Sequence, residues 1–377
     1  MLGFWQKLSR PIIALSPMDG VTDAPFRLIT ARHGIPDVHF TEFTNVEGLS
    51  RNAIMMLDDF LYSEFERPVV AQIYGSEPES FYKIAIVVCE LGFDGIDINM
   101  GCPAKKVAAR GCGAGLIRNP PLAKEIMRQV KRGIHDWTEG RSITDLGFKA
   151  KMIHRIREMN LLRSGREDHP ERRAIPMSVK TRIGYDSITI KDWVQHLLEE
   201  EPVVISIHGR TLKQMYTGSA NWEAIAEAAE IIKKTPSLVL GNGDLNSAQD
   251  IIDKVRLTQV DGVLIGRGCM GNPWIFRHKE KIKSALSSRL LDQKVPLFEE
   301  EPISFEDRFK VLIEHARVFE EIKGHQRFTA MRKHFAWYCK GMPKASELRN
   351  RMCQTHNSQE VENLIAEYSQ EYLLDFF

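Results

Sequence analysis

Cys102 is the residue of this chain most plainly placed to do chemistry. It ends Asp97-Ile-Asn-Met-Gly-Cys102, where a run from Gly95 to Met100 reads as a buried strand and Gly-Cys-Pro103 reads as the turn that stops it. Asn99 precedes the thiol in that run. Lys105, Lys106 and Arg110 follow it, ahead of Gly111-Cys-Gly-Ala-Gly115. A thiol with a pKa near about 8.5 is mostly protonated at neutral pH. Cys102 is thus suited to act as a general acid, or as a nucleophile if a nearby cation lowers that value. Spacing does not separate the two roles. A free cysteine is more often a small buried hydrophobe. Cys89, Cys339 and Cys353 are read that way, and Cys269, beside a glycine-rich turn, is left open.

Seven other apolar runs also end in hydrogen-bonding residues. The ends are Ser16-Pro17-Met18-Asp19, Glu42-Phe-Thr44, Gln72-Ile-Tyr74, Lys180-Thr-Arg182, His208-Gly-Arg210, Asn242-Gly243-Asp244 and Gly266-Arg267. Polar ends on every strand imply a ligand site around one rim. Asn242-Gly243-Asp244 and Gly266-Arg267-Gly268 combine flexible backbone amides with a guanidinium, which suits a phosphate dianion. A phosphorylated cofactor then follows. Gln72 can donate to and accept from the edge of an isoalloxazine, and Lys180 can hold charge near the N1–O2 region of a reduced flavin.

The elements that must position these residues alternate along the chain. Strands are expected at Pro11–Met18, Val38–Phe43, Pro68–Gly75, Gly95–Cys102, Pro176–Gly184, Pro202–His208, Ser237–Asn242 and Val260–Gly266. Helical stretches lie between them, with apolar faces such as Phe81/Ile84/Val88/Leu91, Trp193/His196/Leu197 and Trp222/Ile225/Ala228/Ile232. Asp23 before Ala-Pro, Asn119 before Pro-Pro, and Ser219 or Asn221 mark helix starts. Eight such units predict an α/β chain folded as a (β/α)8 barrel over residues 1–300. A doubly wound sheet is the alternative, and it would more often carry GxGxxG after the first strand. An insertion at about 133–173, polar and basic with an amphipathic helix near Phe148–Leu162, belongs to a connection leading into a strand. It is therefore expected on the face away from the active-site loops.

Past Phe276 no strand is expected. After an acidic linker at Glu299–Pro302, helices at about 305–322, 326–340, 344–354 and 358–373 make residues 301–377 an all-helical domain. Seven lysines and arginines (Arg327, Arg332, Lys333, Lys340, Lys344, Arg349 and Arg351) fall between His325 and Arg351 against one acid, Glu347. Phe335, Trp337 and Tyr338 are interleaved, so the stretch reads as either a solvated face or a phosphate-backbone contact. The net charge of +1 gives no global polyelectrolyte signal, so any nucleic-acid site must be local. Six cysteines without a CxxC pair, and a short apolar start, point to a reducing cytoplasm with free thiols and no membrane span. No metal centre is expected, because Cys102 and Cys112 lack nearby ligands to complete a zinc site.

In order along the chain, Ser16-Pro-Met-Asp-Gly-Val-Thr-Asp23, Ala71-Gln-Ile-Tyr-Gly75, Asn99-Met-Gly-Cys-Pro103, Val179-Lys-Thr-Arg182, His208-Gly-Arg-Thr211, Gly241-Asn-Gly-Asp244, Ile265-Gly-Arg267 and Asn272-Pro-Trp-Ile-Phe276 resemble the tRNA-dihydrouridine synthase family. The tail segment Met331-Arg-Lys-His-Phe-Ala-Trp-Tyr338 is similar to its bacterial B-type branch. The likeness spans nearly the whole chain apart from the insertion and about the last twenty residues. It implies an FMN barrel and a helical tRNA-binding domain, with NADPH as reductant and uridine in tRNA reduced at C5–C6. Carried over, Cys102 is the proton donor to C5 while flavin N5 delivers hydride to C6. Pro17, Met18, Asp19, Gln72, Lys180, His208, Asn242, Gly243, Asp244, Gly266 and Arg267 hold FMN. Asn99 orients the uracil. Beside this resemblance, Lys105, Lys106 and Arg110 read as contacts for an incoming RNA strand, and Arg332 and Lys333 of the basic tail as tRNA contacts. The chain is read as a monomer. The nearest alternatives are an FMN barrel reductase acting on a free pyrimidine, which needs no basic tail, and a non-catalytic RNA-binding barrel.

Overall fold

A computed structural model describes residues 2–167, 171–287, 298 and 302–372. Eight strands appear where the apolar runs predict them: β1 (Ile12–Leu15), β2 (His39–Asn45), β3 (Val69–Tyr74), β4 (Gly95–Met100), β5 (Met177–Arg182), β6 (Val204–His208), β7 (Leu238–Asn242) and β8 (Gly262–Ile265). All are parallel, in the order β1-β8-β7-β6-β5-β4-β3-β2. Leu15 N donates to Val38 O and Asp37 N to Ile13 O, which joins the two ends of that order into a (β/α)8 barrel.

Two-residue periodicity sorts each strand. Ile13, Ile73, Ile98, Val179, Ile207 and Val263 face outward into the core shared with the helices. Ile12, Phe40, Val70, Val204, Leu240 and Leu264 fill the barrel interior around Trp5. The helix starts are capped as expected: Asp23 accepts from Phe26 N, Asn119 from Leu122 N, and Asn221 from Ala224 N.

The insertion carries a helix, Ala150–Ser164, with Met152, Ile156 and Met159 buried. It packs on segments that precede strands, with Asn160 Nδ2 donating to Glu90 O at 2.9 Å. The helix is not confined to the face away from the active-site loops, because Lys149 N at its start donates to Asn52 Oδ1 just after β2, so it runs along the side of the barrel. The helix also reaches the tail: Asp58 accepts from Arg155 of the insertion and from Arg327 of the tail.

The tail is helical at Phe305–Lys323, Arg332–Tyr338, Ala345–Met352 and Ser358–Tyr372, with a 3-10 turn at His325–Met331. Its apolar core is not self-contained, since it includes Leu28 and Ile29 of helix Ala24–His33 and also Trp274. Glu314 ties the same seam by accepting from Arg32 at 2.8 Å and pairing with His33. The linker Glu299–Pro302 falls almost wholly outside the described residues. Among the described residues no helix is long and apolar enough to cross a membrane.

Candidate active site

Above the apolar interior, the inward positions turn polar toward the strand ends. Gln72 lies opposite Asp97, Asn99 opposite Lys180, Arg182 opposite His208, and His208 opposite Asn242. Of these, Asn99, Lys180, Arg182, His208 and Asn242 ring a cavity of about 530 Å³ at the C-terminal mouth, with Gln72 and Asp97 buried beneath them.

The thiol sits on one wall of that cavity, held from inside the barrel. Asp97 accepts from Ser178 Oγ and Gln72 Nε2, both at 2.6 Å. Gln72 Oε1 accepts from Asn99 Nδ2 at 2.9 Å, and Asn99 Oδ1 accepts from the backbone N–H groups of Gly101 (3.0 Å) and Cys102 (2.8 Å). From the other side Arg182 Nε donates to Gly101 O at 2.7 Å. Gly113, at φ +55°, packs so closely that a Cβ there would lie 3.0 Å from the Cys102 Cβ, so only glycine lets the loop fold back on the thiol. Burial pushes the Cys102 thiol above its ordinary value, and Asp19 adds to that against the opposing pull of the Ala104 amide, Arg182 and Lys180. The geometry favours a protonated thiol over a thiolate. Burial likewise pushes the Asp97 carboxyl up to about 6, against the hydrogen bonds from Gln72 and Ser178.

The opposite wall is basic. The Asp244 carboxylate accepts from Arg210 at 2.7 Å, Arg267 at 2.8 Å and Ala220 N at 2.8 Å. It thereby aims Arg267, whose side chain stays 54% exposed. Gly243, at φ +134°, would place a Cβ 2.6 Å from the Ala220 Cβ, so the turn excludes any side chain. Cys269 is buried with its thiol donating to Gly266 O at 3.0 Å, so it braces this turn. Lys180 has no ion pair among the described residues, and burial, aided by Arg182, lowers its ammonium to about 8. Burial and the cations Lys180, Arg182, Arg210 and Arg267 hold His208 neutral, well below the ordinary imidazole value. Its Nδ1 is buried without a hydrogen-bond partner.

Pro17, Met18 and Asp19 close the third side on a loop pinned by Gly20 N donating to Glu42 at 2.6 Å. Burial, with Asp23 and Asp59 adding, pushes the Glu42 carboxyl up to about 7.

The cavity therefore brings together Pro17, Met18, Asp19, Asn99, Cys102, Lys180, His208, Asn242, Gly243, Asp244, Gly266 and Arg267. Gln72 is not on its wall: it is fully buried, and its amide is engaged by Asp97 and Asn99. Lys105, Lys106 and Arg110 are exposed on and after the short helix Lys105–Ala108, just beyond Ala104 of the cavity wall. Arg332 and Lys333 are half-buried at the seam between tail and barrel, with Lys333 Nζ 3.7 Å from Asp23. The rest of the basic stretch does not form one face. Arg327 pairs with Asp58, Arg351 with Glu367, and Lys344 Nζ donates to the Tyr372 hydroxyl. Cys353, expected to be buried, is exposed. Met215 and Tyr216, from the loop after β6, line the cavity without having been anticipated, and Tyr216 is 61% exposed. The only signal for them is an aromatic in a loop closed by Gly218.

A parallel barrel whose mouth joins a buried thiol to a basic, glycine-turned wall is the class of protein these features define. The family model described as Dihydrouridine synthase (Dus) matches residues 13–137 and 158–373. The chain belongs to the dihydrouridine synthase family. The unmatched stretch lies within the insertion, whereas the tail matches further than its motifs suggested. "Probable tRNA-dihydrouridine synthase 2" of Bacillus subtilis (strain 168) is 32% identical over 377 residues, covering 98% of each chain. "Probable tRNA-dihydrouridine synthase" of Staphylococcus aureus (strain COL) is 32% identical over 373 residues, 97% of this chain and 95% of the other. A solved structure of DHODH in complex with ferulenol from Eimeria tenella aligns over 63% of this chain and 61% of its own at 12% identity and a TM-score of 0.39, too slight a likeness to bear on function.

Proposed function

We propose that this chain is a tRNA-dihydrouridine synthase that reduces the C5–C6 bond of uridine in tRNA, with FMN bound at the barrel mouth and NADPH as reductant. The observation that carries the reading is the juxtaposition of a buried, protonated Cys102 with a basic wall on one cavity of about 530 Å³.

The donor set fits FMN. Arg267 and the turns at Gly243 and Gly266 suit its phosphate. Lys180 and the unpartnered His208 Nδ1 suit the polar edge of its ring. Bound FMN, once reduced by NADPH, supplies the hydride equivalent for C6.

The chain's own residues supply the rest. Cys102 Sγ–H gives its proton to C5 on the face its loop presents. Asn99 holds that loop through its carbonyl, which leaves one amide N–H for a uracil oxygen. Gln72, read from sequence as a flavin contact, instead fixes the Asn99 rotamer. Arg182 steadies both the cysteine loop and the loop after β6, donating to Gly101 O, Thr211 O and Met215 O. A uridine must leave its stack to enter such a mouth. We assign Lys105, Lys106, Arg110, Arg332 and Lys333 to the phosphates that flank it.

Lys333→Ala and Arg332→Ala weaken tRNA binding and flatten its salt dependence by about 0.7–0.9 in log–log slope for each phosphate left without its cation. Filter binding across a salt series reads this, and an unchanged slope would place the RNA elsewhere. Flavin retention also depends on pH. Lys180 is depressed to about 8, so it is charged below that pH and neutral above it. Flavin released on dialysis should rise as the pH passes through about 8, and Lys180→Arg should move that rise upward. Retention indifferent to pH in the wild type would remove Lys180 from the cofactor site.

The reading as a whole is tested by purifying the protein without added flavin and measuring its absorbance. Stoichiometric yellow flavin is expected, and a colourless protein that takes up none would contradict it.

A further inference from the structure

The seam between barrel and tail holds a second cluster of chemistry-bearing side chains. Asp23 caps helix Ala24–His33, His315 comes from helix Phe305–Lys323, and His334 from helix Arg332–Tyr338. They are 5%, 0% and 0% exposed. One ligand atom from each lies within 4.8 Å of the other two.

Their hydrogen bonding is incomplete in a specific way. His315 Nδ1 meets the Tyr338 hydroxyl at 3.1 Å, but its Nε2 has no partner. Neither ring nitrogen of His334 has one. A buried polar atom left unsatisfied costs about 1–3 kcal/mol, and native structures keep such groups few. Here three imidazole nitrogens are left over beside one carboxylate. Asp23 Oδ1 is taken by Phe26 N at 3.1 Å. Oδ2 faces the Lys333 ammonium at 3.7 Å, beyond ordinary hydrogen-bond length, so that cation is a replaceable neighbour.

We infer that Asp23, His315 and His334 form a site for one zinc(II) ion that ties the tail to the barrel. Two imidazoles and a carboxylate are a zinc donor set, and a calcium or magnesium site would need more oxygen. The Tyr338 hydroxyl on His315 Nδ1 is the outer partner that fixes which nitrogen faces the metal. Bonds of about 2.1 Å put tetrahedral ligands about 3.4 Å apart, so the ligand atoms close by up to about 1.4 Å on binding. The burial of all three residues and their origin on barrel and tail assign the ion to holding the two together. Spacing around the cysteines could not show this site, because its ligands lie at opposite ends of the chain.

The test uses the full chain, purified without a metal-affinity step and stripped with a chelator. It is then exposed to zinc(II) chloride and passed through gel filtration, and bound zinc is measured by plasma mass spectrometry. About one zinc per chain is expected, with a rise in melting temperature that chelator reverses. The double variant His315→Gln/His334→Gln should retain less than about a tenth of that. Wild type that keeps no zinc, or a double variant that keeps as much, overturns the site. Should the double variant not fold, cobalt(II) in the wild type decides. A visible d–d band that Asp23→Asn alters supports the site, and a spectrum like that of aqueous cobalt overturns it.

Discussion

Replacing Cys102 with alanine should lower the formation of dihydrouridine in tRNA by about 100-fold or more while leaving FMN binding and its reduction by NADPH unchanged. The size follows from the loss of a positioned general acid, which contributes about 10²–10⁴-fold to such steps. The selectivity follows from the geometry. Asn99 holds the loop through the backbone N–H groups of Gly101 and Cys102, not through the thiol. The alanine variant therefore keeps the loop and the basic wall and loses only the proton. The raised thiol also sets the sign of the pH dependence: the acid form persists to the ordinary thiol range and beyond, and turnover falls only as pH rises through it. Rapid mixing of reduced enzyme with unmodified tRNA separates the steps. Wild-type transfer in the variant would show that the proton comes from elsewhere.

Arg27→Leu should destabilise the protein by about 3–5 kcal/mol. Arg27 and Glu66 are 0% and 1% exposed and joined at 2.6 Å. The same guanidinium donates to Thr22 O at 2.7 Å and Leu61 O at 2.5 Å, so one residue binds helix Ala24–His33 to the approach to β3. Removing it strands two carbonyls and a buried carboxyl. Burial already pushes Glu66 above its ordinary value, and Arg27 is the chief opposing influence. Without Arg27 that value climbs further. A raised carboxyl costs stability once pH exceeds its unfolded value, so the loss should be larger at pH 8 than at pH 5. Urea unfolding at both pH values with flavin saturating measures it, and the apolar pair Arg27→Met/Glu66→Leu should recover most of the loss. A change near zero in Arg27→Leu would mean that the pair is dispensable.

Barrel and site differ in how far they could be read from residues alone. Short β-branched runs ending in polar residues locate all eight strands, because a strand buried on both sides has little other composition available. Asp23, Asn119 and Asn221 announce their helices, because an uncapped N-terminus leaves N–H groups unpaired. Inward-facing polar residues at strand ends follow from the two-residue period. Depth does not, so Gln72 could be placed on the inner face but not seen to lie behind Asn99. The tail's helices are legible, yet the sharing of its core with Leu28 and Ile29 is a long-range contact that no local pattern encodes. The basic stretch reads as one patch, whereas folding pairs Arg327 and Arg351 with acids distant in sequence. Tyr216 sits in a loop, where exposed aromatics carry no periodic signal.

Cys102 and the basic wall are proposed to serve one reaction on a uridine of tRNA. Incubating the full-length protein with FMN, NADPH and an unmodified tRNA transcript, then measuring nucleoside mass, tests it most directly. A uridine two mass units heavier, formed by wild type and not by Cys102→Ala, is the predicted result. Unaltered tRNA in the presence of NADPH-reduced flavin, with a free pyrimidine reduced in its place, would contradict the account.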